Sequence, residues 1–218
     1  MNRLEYQSAW IRSHNTPNWL IVKIFLTIIY GLSRIFMFFR VTPNAATVIG
    51  GLIGLASVWF VYSEIWLIAA TLAALSSLLD GVDGAIAELT NRKSKFGAIL
   101  DALIDRIVEI AWFVSLIWMG AQASAVVVCG LMIMVMEYTR AKANSLNLDG
   151  PGLITIAERP TRVIMFVMLN IGVSFVGTDT RSATIGVWVL TSLTAIASMQ
   201  LFFRFTNKLR NNSSGQTN

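Results

Sequence analysis

Apolar residues in this chain gather into long runs separated by short polar turns. Six runs, over 43–62, 65–89, 94–119, 124–144, 154–175 and 183–205, are long enough for a helix to cross a bilayer. A bilayer core of about 30 Å takes roughly 20 residues of helix. The pattern predicts an all-α integral membrane protein with six transmembrane helices. A seventh run, 19–40, carries Lys23, Thr27, Tyr30 and Arg34 at intervals of four, three and four. That spacing stacks them on one helical stripe, and most of the remaining run is Ile, Leu, Phe and Met. It predicts an amphipathic helix lying in the membrane interface, with its polar stripe toward headgroups and water. "VTPN" at 41–44 closes this helix, because Pro43 disfavours helix at Thr42 and suits the first turn of the next helix.

Composition agrees with the pattern. Of 218 residues, 55% are hydrophobic and only 13% charged, with a mean hydropathy of +0.64. A soluble domain carries about 25% charged residues, so this chain lacks the polar material to cover a soluble surface. The predicted division is an N-terminal segment with the interfacial helix over 1–42, one six-helix domain over 43–207, and a disordered polar tail over 208–218. The start, with Glu5 and no early apolar core, is not the pattern of a cleavable signal peptide. Cys129 is the single cysteine and lies in an apolar run, which predicts a buried core residue and no disulfide within the chain.

The net charge of +5 is distributed unevenly. The turns at 63–64, 120–123 and 177–182 are nearly uncharged apart from Arg181. Arg40, Arg92, Lys93, Lys95, Arg140, Lys142, Arg159, Arg162, Arg204, Lys208 and Arg210 all fall at the other ends of the spans. The excess of cations on cytoplasmic loops predicts a plasma or inner membrane protein with both termini in the cytoplasm. The expected partners are membrane lipids, with no nucleic acid.

Four aspartates interrupt the second and third runs. Asp80 and Asp83 are three residues apart, and Asp101 and Asp105 are four apart, so each pair shares a helix face. The short linker over 90–93 makes the two helices antiparallel neighbours. At about 1.5 Å of rise per residue, Asp80 then lies level with Asp105 and Asp83 level with Asp101. Carboxylates crowded in an apolar setting need a cation. Hard oxygen donors suit Mg²⁺ or Mn²⁺, and two ions about 4 Å apart would clamp a phosphate between them. Zinc is disfavoured, since the only histidine, His14, is distant in sequence. Gly81, Gly84 and Gly97 leave gaps through which a ligand or a backbone can approach. The depth of Asp80 in its span places the cluster near the cytoplasmic face.

These residues resemble the signature of the CDP-alcohol phosphatidyltransferase family: D, two residues, D-G, two residues, A-R, eight residues, G, three residues, D, three residues, D. Asp80, Asp83, Gly84, Ala87, Gly97, Asp101 and Asp105 stand at its positions. The likeness extends to the interfacial helix, to "TPNAAT" at 42–47, and to the six spans. The wording is nearest to that of prokaryotic inositol-phosphate-type phosphatidyltransferases. The resemblance implies transfer of a phosphatidyl group from a CDP-linked lipid donor, such as CDP-diacylglycerol, to the hydroxyl of a small acceptor, with release of CMP. It implies that Asp80, Asp83, Asp101 and Asp105 hold the metal ions, that Asp105 is the general base, and that Gly84, Ala87 and Gly97 lie against the cytidine and its phosphates. It also implies a homodimer.

One position departs from the signature. Where the family has arginine after alanine, this chain has Glu88. Arg92, one turn later, is a candidate to reach back toward Glu88 or the donor phosphates. On the acceptor side, Arg140 and Lys142 end the fourth span, and Arg159 and Arg162 open the fifth, with "LNLDGPG" between them. They form a basic rim suited to a phosphorylated acceptor such as inositol phosphate or glycerol 3-phosphate. Two other readings compete: a divalent-cation transporter, because acids inside membranes also mark ion paths, and a catalytically weak relative, because of Glu88.

Overall fold

The computed structural model describes residues 1–14, 19–146, 155–178 and 180–214. Eight helices follow in order: α1 (Arg3–His14), α2 (Leu20–Phe38), α3 (Pro43–Tyr62), α4 (Trp66–Leu89), α5 (Lys95–Trp118), α6 (Ala123–Ser145), α7 (Arg159–Val176) and α8 (Thr180–Ser214). The helix ends follow from local sequence. Thr42 caps α3, its hydroxyl accepting from the Ala45 amide at 3.3 Å, and Pro43 opens the first turn. Ser94 caps α5 by accepting from the Gly97 amide at 2.9 Å. Four helices stop with the same device: Arg40, Glu64, Asn91 and Gly120 take positive φ. The residue after each then donates back to the carbonyl five positions earlier, as from Val41 to Phe36 and from Arg92 to Ala87. This satisfies carbonyls that the helix end leaves without partners.

Five helical segments are long and apolar enough to cross a membrane: Pro43–Tyr62, Trp66–Leu89, Ala123–Ala143, Arg159–Val176 and Arg181–Asn207. Leu52, Leu131, Val135 and Phe202 lie exposed on their outer faces, where a soluble bundle would be polar and lipid is the matching solvent. The α5 helix has 24 residues, enough in length, but Asp101, Asp105, Arg106 and Glu109 set it apart from the other five. The fifth predicted span begins later than expected, at Arg159 rather than 154, with Pro160 in its first turn. Apart from Leu146, "LNLDGPG" lies outside the described residues. At the C-terminal end α8 runs on to Ser214, through most of the segment read as an unstructured tail.

The sequence gives no warning of α1, which lies along α2. Gln7 donates to the Lys23 carbonyl at 3.1 Å and to the Thr27 hydroxyl at 2.9 Å, and the Tyr30 hydroxyl donates to the Met1 carbonyl at 3.3 Å. Part of the polar stripe of α2 is therefore covered by α1 rather than turned to headgroups. A flanking apolar side of α2 buries Leu26 and Ile29 against Leu79, Val82, Ala85 and Ile86 of α4.

The expected side-by-side packing of α4 and α5 is replaced by a wedge, because both pack on α3. Small residues permit it. Gly50, Gly54 and Ser57 of α3 are buried along with Ala69, Ala73 and Ser76 of α4, and the Ser76 hydroxyl donates to the Gly50 carbonyl at 2.8 Å. On the α5 side, Ile104 and Val108 occupy the space where Gly51 and Gly54 have no side chain. A Cβ at Gly54 would stand 2.6 Å from Val108 Cγ1 and 2.7 Å from Ser76 Oγ.

Gly54→Val is therefore expected to lower the midpoint of thermal unfolding in detergent, by the equivalent of about 1–3 kcal/mol for overpacking. Gly130→Ala, on α6 where an added Cβ meets nothing within 4 Å, is expected to leave the midpoint unchanged or raise it.

Candidate active site

The last turns of α4 carry Asp80 and Asp83, and the first turns of α5 carry Asp101 and Asp105. Asp80, Asp101 and Asp105 each offer an oxygen such that all three lie within 4.8 Å of one another. Asp83 is turned aside. It is 6% exposed and accepts a hydrogen bond from the Thr47 hydroxyl of α3. The level pairing expected from helix rise thus becomes a cluster of three, with the fourth carboxylate held next to it. Thr47 takes part because the wedge brings the start of α3 to this end of α4.

Arg159, in the first turn of α7, forms ion pairs with both Asp80 and Asp105. One guanidinium facing three carboxylates leaves the cluster short of positive charge, and Asp101 Oδ1 is buried with no hydrogen-bond partner. A set of hard carboxylate oxygens with a buried acceptor atom unused fits a divalent cation such as Mg²⁺ or Mn²⁺.

A cavity of about 270 Å³ adjoins the cluster, bounded by the start of α3, the end of α4, the linker and the start of α5. Asp83 and Asp101 line it together with Gly84, Ala87, Arg92 and Gly97, so the residues that the signature assigns to the donor share one cavity. A Cβ at Gly84 would meet nothing within 4 Å, which leaves its side of the helix open to the cavity. A Cβ at Gly97 would stand 3.0 Å from Asn44 Oδ1 and Ser94 Oγ. Glu88 pairs with Lys93, not with Arg92, which lines the cavity. Lys93 also lines it, so two cations stand there despite the acid at position 88.

The four cations expected to form an acceptor rim are dispersed. Arg159 alone joins the aspartates. Arg162 is 3% exposed and is committed to Glu109, to Glu137 at 3.0 Å and to the Ala157 carbonyl at 2.7 Å. Arg140 grips both oxygens of Glu158 at 2.8 and 2.9 Å and donates to Thr155 at 3.1 Å. Lys142 is exposed. Beneath the aspartates, Arg106, Arg140 and Arg162 interleave with Glu109, Glu137 and Glu158 to tie α5, α6 and α7 together. The sequence reading passed over Arg106, Glu109, Glu137, Glu158 and Thr47. Arg106 with Glu109, and Glu137 with Arg140, are three residues apart in apolar runs, and that spacing was the available signal.

Fold and site together define a helical integral membrane protein with an acidic centre that could hold a cation, beside a cavity at one end of its bundle. The chain belongs to the CDP-alcohol phosphatidyltransferase family, whose profile matches residues 40–197, and it is accordingly a phosphotransferase of lipid synthesis. It is 31% identical over 170 residues to archaetidylinositol phosphate synthase of Pyrococcus horikoshii, covering 78% of this chain and 86% of that one. The crystal structure of Mycobacterium tuberculosis phosphatidylinositol phosphate synthase with CDP-DAG bound superimposes with a TM-score of 0.68 at 26% identity, covering 82% of this chain and 94% of that one. The same enzyme in complex with manganese and citrate gives 0.67 at 25% identity, covering 81% and 88%.

Breaking the buried network has a predictable consequence. Arg162→Met leaves Glu109 with Arg106 alone and Glu137 without its nearest partner, and loss of one member of a buried ion pair costs about 3–5 kcal/mol. A large drop in the unfolding midpoint in detergent is expected, and Lys142→Met is expected to leave it unchanged.

Proposed function

We propose that the chain transfers a phosphatidyl group from CDP-diacylglycerol to the hydroxyl of a small phosphorylated acceptor, inositol phosphate or glycerol 3-phosphate, and releases CMP. The observation that carries this reading is the convergence of Asp80, Asp101 and Asp105 beside the cavity lined by Gly84, Ala87, Arg92 and Gly97. The inositol-phosphate lipid synthases among its relatives support the acceptor class.

In this reading Asp80, Asp83, Asp101 and Asp105 hold two Mg²⁺ or Mn²⁺ ions. The ions supply Lewis-acid stabilisation of charge on the donor diphosphate. The nucleotide lies against Gly84, Ala87 and Gly97, where the absent side chains leave it room, and Arg92 meets its phosphates. The acceptor hydroxyl oxygen bonds to the phosphorus that carries the lipid, and the bond from that phosphorus to the CMP oxygen breaks. CMP leaves with the bonding electron pair, and the hydroxyl proton passes to the Asp105 carboxylate. Arg159 pairs with Asp80 and Asp105 and holds the two side chains in place between turnovers. On the acceptor side we assign Arg159 to the acceptor phosphate, with Arg140, Lys142 and Arg162 as the surrounding basic set. Arg140 and Arg162 serve there by fixing the helices that present Arg159.

The positive-inside rule supports a cytoplasmic site with both termini on that side. We take α5 as a sixth span whose acids are neutralised within the bundle, and α2 with α1 as the interfacial segment. The catalytic unit then spans 43–207 and acts as a homodimer.

Two assays follow. Purified protein with CDP-diacylglycerol, Mn²⁺ or Mg²⁺ and inositol phosphate is expected to release CMP. Chelation of the metal, or Asp105→Asn, is expected to lower that release by at least about 10²-fold, as loss of a general base does. Unchanged release in the mutant would remove Asp105 from its role. Gly84→Leu fills the cavity and is expected to raise KM for the donor about tenfold, equivalent to ~1.4 kcal/mol, without changing KM for the acceptor.

A further inference from the structure

Glu88 stands where the signature carries arginine, and the turn after α4 builds its setting. Asn91 takes φ 54°, and the amides of Asn91 and Arg92 donate back to the carbonyls of Glu88 at 3.2 Å and Ala87 at 2.9 Å. The chain therefore reverses directly after Glu88. On a continuing helix, residues five apart point about 140° away from each other, so Glu88 and Lys93 meet only because of this reversal. The same turn brings Arg92 and Lys93 to the cavity that Gly84, Ala87 and Gly97 line.

We propose that Lys93 binds the donor diphosphate at the mouth of this cavity, and that Glu88 is the residue that positions it. Lys93 then supplies from the linker the positive charge that the signature carries at position 88. The inference rests on the donor reading above. Charge in the cavity is divided: Asp83 and Asp101 line it with the same sign as a phosphate, and among the described residues Arg92 and Lys93 are its lining cations. A diphosphate is therefore favoured at the linker side of the cavity, where Lys93 stands.

An ammonium carries three N–H donors, so the one given to Glu88 leaves two for phosphate oxygens. The Lys93 side chain is 68% exposed, and an ion pair in that setting adds little to stability. Its contribution is placement. A long exposed lysine otherwise spreads over many rotamers, and a carboxylate that restricts it lowers the ordering cost when a phosphate arrives. Among the described residues Glu88 forms its ion pair with Lys93 alone. Tyr6 of α1 feels the same carboxylate but stays an uncharged ring, its phenol pushed up to about 12 by burial and then by the charge of Glu88.

The test is CDP affinity, measured by calorimetry on the full chain in detergent with Mn²⁺ present. Lys93→Met is expected to weaken CDP binding about tenfold, the scale of one lost hydrogen bond to a charged group. Lys95→Met, at an exposed cation outside the cavity lining, is expected to leave it unchanged. Glu88→Gln separates the two roles open to an acid here: positioning of Lys93 predicts a severalfold loss of affinity, whereas simple repulsion of phosphate predicts a gain. With Lys93→Met already in place the same substitution is expected to tighten binding, since the unpaired carboxylate then only repels, and the two changes are not additive. In the CMP-release assay Lys93→Met is expected to raise KM for the donor and leave KM for the acceptor unchanged. Three results overturn this inference alone: CDP affinity unchanged or tightened by Glu88→Gln, a loss on Glu88→Gln that is the same with and without Lys93, or a Lys93→Met effect no larger than that of Lys95→Met. No CDP binding by the unsubstituted chain overturns it together with the donor reading.

Discussion

The bridge from Arg159 to Asp80 and Asp105 is the interaction on which the rest of the site depends. It joins three helices, α4, α5 and α7, through one side chain at the end of a bundle whose outer faces are apolar. Carboxylates in such surroundings are costly without a cation, and one guanidinium does not balance three of them. The guanidinium holds Asp80 and Asp105 together, and the residual demand for positive charge fits a divalent ion. Arg162 repeats the arrangement one turn further into α7, where Glu109 and Glu137 balance it more fully. Of these two arginines three residues apart, one stays with the aspartates and the other fastens the helices beneath it.

That bridge requires helix ends to arrive at the same level, and α3 arranges it. Glycines on α3 let α4 come in along Gly50 and α5 along Gly51 and Gly54, so backbones rather than side chains set the separation. Small residues do this work in membrane proteins because lipid supplies no hydrophobic force between helices, leaving close packing to hold them. The wedge also carries Thr47 to Asp83, which separates one carboxylate from the other three. The cavity between the starts of α3 and α5 follows from the same geometry.

Much of the fold is legible in the sequence, because bilayer thickness fixes span length and caps fix span ends. Thr42 with Pro43, and Ser94 with Gly97, mark their helix starts in plain letters. Less legible is α1: its residues carry no apolar stripe, and its helix is held by Gln7 and Tyr6 against α2 rather than by its own pattern. The four aspartates and their grouping by pairs were readable from spacing alone. Their sorting into three and one was not, since it depends on Thr47, a residue 33 positions before Asp80 in the chain.

The sequence by itself determined the class of protein, the acidic signature and the type of ion it suits, since these follow from residue types at fixed intervals along single helices. Tertiary structure alone decided which cation meets which acid. Glu88 took Lys93 in place of Arg92, Arg159 went to the aspartates, and Arg140 and Arg162 left the expected rim for Glu158, Glu109 and Glu137. Charge pairing acts over a few ångströms between helices that are distant in the chain, and those distances exist only once the small-residue faces of α3 have drawn the helices together.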